Sequence, residues 1–210
     1  MFSLTRKIIR CFMRIILLSI LCFIGYWCYT NYQILQKVHQ YEDTVTTEVT
    51  KNQIPEYKAL VASIILTESK GIGKDPMQSS ESSGQPMNSI QNPQQSIEQG
   101  TAFLAQAIRL AKAKHTDIWT AVQAYNFGLA YIDYVAEHGG KHTIDLAETY
   151  SRDVLSPKLG NQTQKQYRYF AWRSLMHNGG YLYHNGGNMF YADLVKVNEY
   201  KIQATNGLFH

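Results

Sequence analysis

An uncharged run from Ile15 to Tyr29, preceded by Arg6, Lys7, Arg10 and Arg14, constrains this 210-residue chain more than any other feature. Ile8, Ile9, Phe12 and Met13 extend the run backwards past two of the arginines, which can snorkel towards headgroups. At ~1.5 Å per residue, a helix from Ile8 to Tyr29 is long enough for a hydrocarbon core of ~30 Å. Tyr26, Trp27 and Tyr29 at its far end suit an interfacial aromatic belt. Basic residues before the span place residues 1–7 in the cytoplasm and everything after about Tyr32 outside. No small-x-small pattern follows the run, so an uncleaved signal anchor is expected rather than a removed signal peptide. The expected organisation is a cytoplasmic tip and anchor over 1–30, a polar stalk over 31–53, and one globular domain over 54–210.

The formal charge of +4 reports this topology and not a ligand. Without the four N-terminal basic residues, 16 basic face 16 acidic side chains. No basic stripe is expected outside the N-terminus, which argues against a nucleic-acid partner. Cys11, Cys22 and Cys28 all lie in the N-terminal segment, so the domain has neither a disulfide nor a thiolate metal site. His138 and His142 have i, i+4 spacing, but Gly139 and Gly140 between them break the helix such a metal pair needs. No phosphate loop, nucleophile elbow or dinucleotide fingerprint is present, and neither a metal nor a cofactor is expected.

The domain reads as all-α. Pro55 suits the first turn of a helix whose apolar stretch, Ala59 to Leu66, leads to Glu68 before Gly71 and Gly73 stop it. Residues 71–93 are rich in Ser, Gly, Gln, Asn and Pro and predict a long functional loop. Asn92, Asp117 and Thr143 are N-cap candidates for three further helices. Periodicity predicts a helix over 163–177 with Tyr167, Phe170, Ala171 and Leu175 inward, a Gly-rich loop over 179–188, and a last helix from Asn188 to about Tyr200. No strand is expected.

Glu68 is the candidate for chemistry. The negative end of a helix and partial burial both disfavour a carboxylate there. A protonated carboxyl is what glycoside cleavage requires, because it must give a proton to the leaving oxygen. Glu68-Ser69 is followed by Asp75-Pro76-Met77-Gln78-Ser79-Ser80-Glu81-Ser82, and later by Ala124-Tyr125-Asn126-Phe127-Gly128. This order resembles the lysozyme-like superfamily of lytic transglycosylases and goose-type lysozymes, with an ES pair, an MQ motif and an AYN-x-G motif. The DxMQSSES form is most similar to the Gram-positive branch found in CwlT-type muramidases and small pneumococcal-type wall lysozymes. The resemblance covers about residues 54–200.

The resemblance implies a lysozyme-like fold acting on peptidoglycan glycan strands at the β-1,4 bond between N-acetylmuramic acid and N-acetylglucosamine. It implies Glu68 as the acid, Ser69 as hydrogen-bonding support for it or for its substrate, and Asp75, Met77, Gln78 and Ser79 along the cleft. Tyr125 and Asn126 would hold the muramic-acid sugar, Asn126 through an amide that can pair with an acetamido group. Phe127 stands where the family often has alanine, which reshapes the cleft floor. Glu81 is the favoured second carboxylate for an inverting hydrolase. A lytic transglycosylase, needing Glu68 alone and leaving 1,6-anhydromuramyl ends, is the alternative, and a non-catalytic wall-binding or scaffold protein the second. The expected orientation has a direct check: protease added to wall-stripped intact cells should digest residues 31–210. Protection of that region would reverse the orientation.

Overall fold

Among the described residues, eleven helices and one antiparallel strand pair follow from caps and breakers that act locally. The computed structural model describes residues 2–82 and 90–208, without the side chains of 2–9, 81–82 and 208. Helix α1 runs without interruption over Phe2–His39 and α2 over Glu42–Lys51. A 3-10 turn at Pro55–Tyr57 starts α3, Lys58–Glu68. The short α4 is Ser79–Ser82, and α5 spans Pro93–Ala113. Next come α6 (Ile118–Phe127), α7 (Ala130–Glu137) and α8 (Ile144–Tyr150). A wide π turn at Ser151–Leu155 leads into α9, Ser156–Lys158. Strands β1 (Gln166–Arg168) and β2 (Tyr181–Tyr183) flank α10, Trp172–Asn178, and α11 closes the domain over Tyr191–Thr205. Asn92, Asp117 and Thr143 each accept a backbone N–H of the helix they precede, as their residue types dictate.

Helix α3 is the axis of the core. Leu60, Val61, Ser63, Ile64, Ile65 and Leu66 are all buried, so it is enclosed on nearly every side. Helix α11 packs along it, α2 and the end of α1 cover another side, and α5 and α6 pair beyond. Gly100, in the middle of α5, is required by close approach. A Cβ there would lie 2.6 Å from the Tyr125 hydroxyl and 2.8 Å from Met77 Sδ.

Two sequence expectations are corrected. Residues 31–53 are not a free stalk: Leu35, Val38, Tyr41, Val45 and Val49 are buried in the same core as α3. Their stripe is split by the break at Gln40–Tyr41, so each helix shows only two or three apolar positions among many polar ones. Residues 163–177 are not one helix. Gln166, Tyr167 and Arg168 pair antiparallel with Tyr183, Leu182 and Tyr181, and only α10 is helical. Phe170 is 73% exposed and Leu175 43%, while Ser174 is the buried residue of α10.

The apolar part of α1 stands clear of the domain. From Arg10 the helix is long and apolar enough to cross a membrane, and none of that apolar window is buried by protein. Its far end, however, belongs to the fold. A chain trimmed to residues 31–210 should unfold cooperatively in urea, whereas one trimmed to 54–210 should not. Burying a Leu or Val side chain contributes ~1.5–3 kcal/mol, so losing five buried apolar residues removes much of a typical net stability of ~5–15 kcal/mol.

Candidate active site

Glu68 is the last residue of α3 and is partly buried at one wall of a cleft of about 480 Å³. The other walls come from Gln78, from Phe103 on α5, from Tyr125 to Leu129 at the end of α6, and from Leu155, Leu159, Asn185 and Gly187. Among the described residues Glu68 is the sole carboxylate lining it. A hollow of similar size, about 490 Å³, lies between α1, α2, α3 and α11. There Glu42 pairs with the Lys58 ammonium at 2.6 Å and meets His39 Nδ1 at 3.0 Å, so its carboxylate is already engaged. The Glu68 cleft is the better candidate because polar groups from separate elements converge on it.

Tyr191, at the start of α11, donates its hydroxyl to Glu68 Oε1 at 2.6 Å. Its ring stacks on that of Tyr125 with centroids 6.2 Å apart, and Phe103 meets Tyr125 edge-on at 5.6 Å. Burial, then the nearby Glu68 charge, push both tyrosine hydroxyls well above their ordinary range. Both therefore remain donors at neutral pH. Tyr125 gives its proton to the Met77 carbonyl (3.0 Å), so its hydroxyl braces the loop and its ring forms the cleft wall.

Asn126 is exposed at the cleft rim. Its Oδ1 accepts the Asn188 N–H at 2.7 Å, which orients the amide and leaves the NH₂ as the group to offer a ligand. Gln123, fully buried one turn earlier, ties down the same segment by donating to the Asn188 carbonyl (2.8 Å) and accepting the Ala192 N–H (3.1 Å). The sequence does not single out Gln123 as part of a site, and it marks Tyr191 only as one of the aromatics flanking the Gly-rich loop, which suit sugar stacking and helix packing equally. For Gln123 the one available signal is that it lies one turn before Asn126.

Four expected site residues lie behind the cleft and not along it. Asp75, Met77 and Ser79 are buried. Asp75 Oδ1 accepts the Ser79 N–H (2.9 Å) and the Ser96 hydroxyl (2.6 Å), and Oδ2 the Ser80 N–H (3.2 Å) and hydroxyl (2.7 Å). Met77 N–H donates to Ser96 Oγ at 3.0 Å. Ser69 closes the same loop, donating to the Pro76 carbonyl (2.8 Å) and accepting the Gly71 N–H (3.1 Å). In the structure these four build the loop and its seat, pairing with one another and with Ser96 of α5 and Tyr125 of α6. Among the described side chains of this motif Gln78 alone faces the cleft, held at φ +48°, a left-handed backbone uncommon for a non-glycine residue. Glu81 lies on α4, and its side chain falls outside the described residues.

The charge-neutral domain is also locally polarised. No acid occurs between Asp153 and Asp193, while Lys158, Lys165, Arg168 and Arg173 do. The stretch also carries exposed Tyr167, Phe170 and Trp172, and its Leu159, Asn185 and Gly187 line the cleft. Among the described residues no group of three or more His, Cys, Asp or Glu side chains is arranged to hold a metal ion.

Residues 35–199 match the family described as lysozyme-like, and the chain belongs to that family. It is 45% identical over 184 residues to the pneumococcal vaccine antigen A homolog of Streptococcus pyogenes serotype M1, covering 88% of this chain and 92% of that protein. It is 43% identical over 93 residues to the bifunctional muramidase/DL-endopeptidase CwlT of Bacillus subtilis, covering 44% of this chain and 27% of that one. A crystal structure of a protein similar to lipoproteins of the NLP/P60 family from Staphylococcus aureus superposes with a TM-score of 0.71 at 32% identity, over 78% of this chain and 52% of that one.

Asp75 supplies a test of the loop. Burial alone would raise its carboxyl, but the Ser96 and Ser80 hydroxyls and the Ser79 and Ser80 amides outweigh it and hold it below the usual range. A carboxyl lowered on folding contributes stability above its unfolded value of ~3.9 that is lost as pH falls through the lower folded value. Asp75→Asn sets an NH₂ against donors, and hydrogen bonds to a charged group contribute ~1.5–3 kcal/mol each. Melting of the variant at pH 7 should fall by about 4–8 °C, for a loss of ~2 kcal/mol in a domain of this size. The difference from the wild type should shrink on going to pH 3.

Proposed function

We propose that the chain is a membrane-anchored peptidoglycan glycosidase of the muramidase type. It cuts the β-1,4 bond between N-acetylmuramic acid and N-acetylglucosamine, with Glu68 as the general acid. The observation that carries this reading is the placement of Glu68: a helix-end carboxyl, partly buried at the wall of a cleft and oriented by the Tyr191 hydroxyl. In its acid form Glu68 gives a proton to the leaving glycosidic oxygen. Asn126 offers its amide NH₂ to a sugar acetamido carbonyl, and Gln78 and Tyr125 shape the wall beside the cut bond. Family membership and the partial likeness to CwlT support a peptidoglycan-related activity. The basic and aromatic stretch beside the cleft suits an anionic, sugar-bearing polymer. The apolar part of α1 serves as a single-pass anchor, and the basic residues before it favour an outward-facing domain.

One observation favours a second reading. Asp75 is sealed within its loop, so among the described residues no second carboxylate reaches the cleft to activate water. A lytic transglycosylase needs none, because a muramyl hydroxyl attacks in place of water. Glu81 decides between the two.

Glu68→Gln keeps shape and removes the transferable proton. General acid catalysis contributes about 10²–10⁴-fold, so clearing of a peptidoglycan zymogram should nearly vanish while the helical signal and melting temperature persist. Full activity of this variant would refute the reading. Glu81→Gln should abolish most cleavage if Glu81 activates water, with reducing muramic-acid ends in the wild-type digest. If Glu68 acts alone, Glu81→Gln should stay active and mass spectrometry should find anhydromuramyl ends.

A further inference from the structure

The junction between α1 and the domain is rigid. No glycine or proline occurs from Tyr26 to Gln53, so the helix emerging from the apolar span has no residue that commonly kinks or breaks a helix. Leu35 and Val38 are buried in the domain core. Asn31 Oδ1 accepts the Lys201 ammonium at 2.7 Å, on a lysine whose charge is disfavoured by burial and by Lys70. Gln40 Nε2 and the Tyr41 hydroxyl reach the Gly71 carbonyl at 3.4 and 3.5 Å. Gly71 itself, at φ +72°, lies so close that an added Cβ would stand 2.6 Å from the Lys37 carbonyl oxygen. Bending α1 anywhere between Asn31 and Tyr41 breaks several of these contacts at once.

This fixes the height of the cleft. Lys37 is eight residues beyond Tyr29, the last residue of the uncharged run, which is ~12 Å along a helix at ~1.5 Å per residue. Gly71 abuts Lys37, and Glu68 is three residues from Gly71, at most ~10 Å away. The acid therefore sits within about 25 Å of the plane of Tyr29, a path length that no tilt of α1 can exceed. A free stalk of 23 residues would have let the domain search a much larger depth.

We propose that the substrate is glycan still tethered to the membrane, a strand carrying a lipid at one end, rather than strands deeper in the wall. The inference rests on the glycosidase reading and on α1 crossing the bilayer. The reaction that must supply such a strand is glycosyl transfer from a lipid-linked sugar donor at the same membrane face. Tethering both partners to one surface raises their effective concentration, so detached strands compete poorly.

The test is a molecular ruler with the full chain in vesicles. An 18-residue helical insertion after Thr30 adds five whole turns, ~27 Å, and keeps the rotational setting of the domain. Lipid-linked glycan polymerised in the same vesicles is the substrate, and the length of the lipid-linked stub left after digestion is the readout. The wild type should leave a stub of one narrow length, and the insertion variant a stub longer by about 27 Å, while both cut detached strands at rates within about two-fold of each other. A stub unchanged by the insertion overturns the inference. So does wild-type cleavage of detached strands as fast as tethered ones. Energy transfer from a dye on Lys70→Cys, in a chain with serine at 11, 22 and 28, to a probe at the bilayer surface tests the geometry without activity. A separation beyond ~40 Å overturns the inference, because the cleft would exceed the height fixed by the helix. A separation within ~25 Å with neither substrate cut places the failure in the glycosidase reading, and the substrate assignment falls with it.

Discussion

The burial of α3 on nearly every side is the constraint from which the rest follows. A helix covered by α1, α2 and α11 has no freedom in where its end emerges, and Glu68 is that end. The packing of α11 along α3 then brings Tyr191 to the carboxyl although 123 residues separate them in sequence. The same pairing sets Asn198, two turns further along α11, against Thr67 at 2.9 Å. A polar end on an apolar helix is thus held by the helix that also covers it. Errors of placement in the site would have to be errors of core packing, which close-packed interiors resist.

Around this axis the loop after Glu68 is built inwards. Asp75 accepts four hydrogen bonds of 3.2 Å or less, and Tyr125 and Ser69 clasp the carbonyls of Met77 and Pro76. The polar motif that suggests a ligand-binding surface is largely a ligand for itself. Its product is the exposure of one side chain, Gln78, on a backbone of uncommon geometry. Such a loop is preorganised without being complementary in every residue, a cheaper solution than lining a cleft with side chains that must each be held from behind.

Local chemistry was readable from the sequence and tertiary chemistry was not. Asn92, Asp117 and Thr143 are short polar residues before apolar periodicity, and each caps a helix where expected. Glu68 follows an apolar run and ends its helix for the same local reason. The burial of residues 35–49 was hidden because one apolar face is divided between two helices. The hairpin was hidden because three-residue strands are too short to show alternation, and its aromatic residues Tyr167 and Phe170 point to solvent. Asp75, Met77 and Ser79 stood beside Gln78 in a motif, and adjacency along a chain does not say which residues face a cleft. The partnership of Tyr191 with Glu68 is long-range and has no local signature at all.

Phe127 carries a consequence for how such a chain can drift. Its ring is buried, edge-on to Tyr131 at 5.2 Å and stacked on Tyr150 at 5.5 Å. It fits because Gly187 has no side chain: a Cβ there, at φ +63°, would lie 2.8 Å from the Phe127 ring and 2.8 Å from Asn126 Oδ1. A smaller residue at 127 would relieve only the ring contact. The Asn126 amide oxygen and the left-handed backbone would still hold position 187 to glycine, so the ring of Phe127 and the orientation of the Asn126 amide both depend on the same missing side chain.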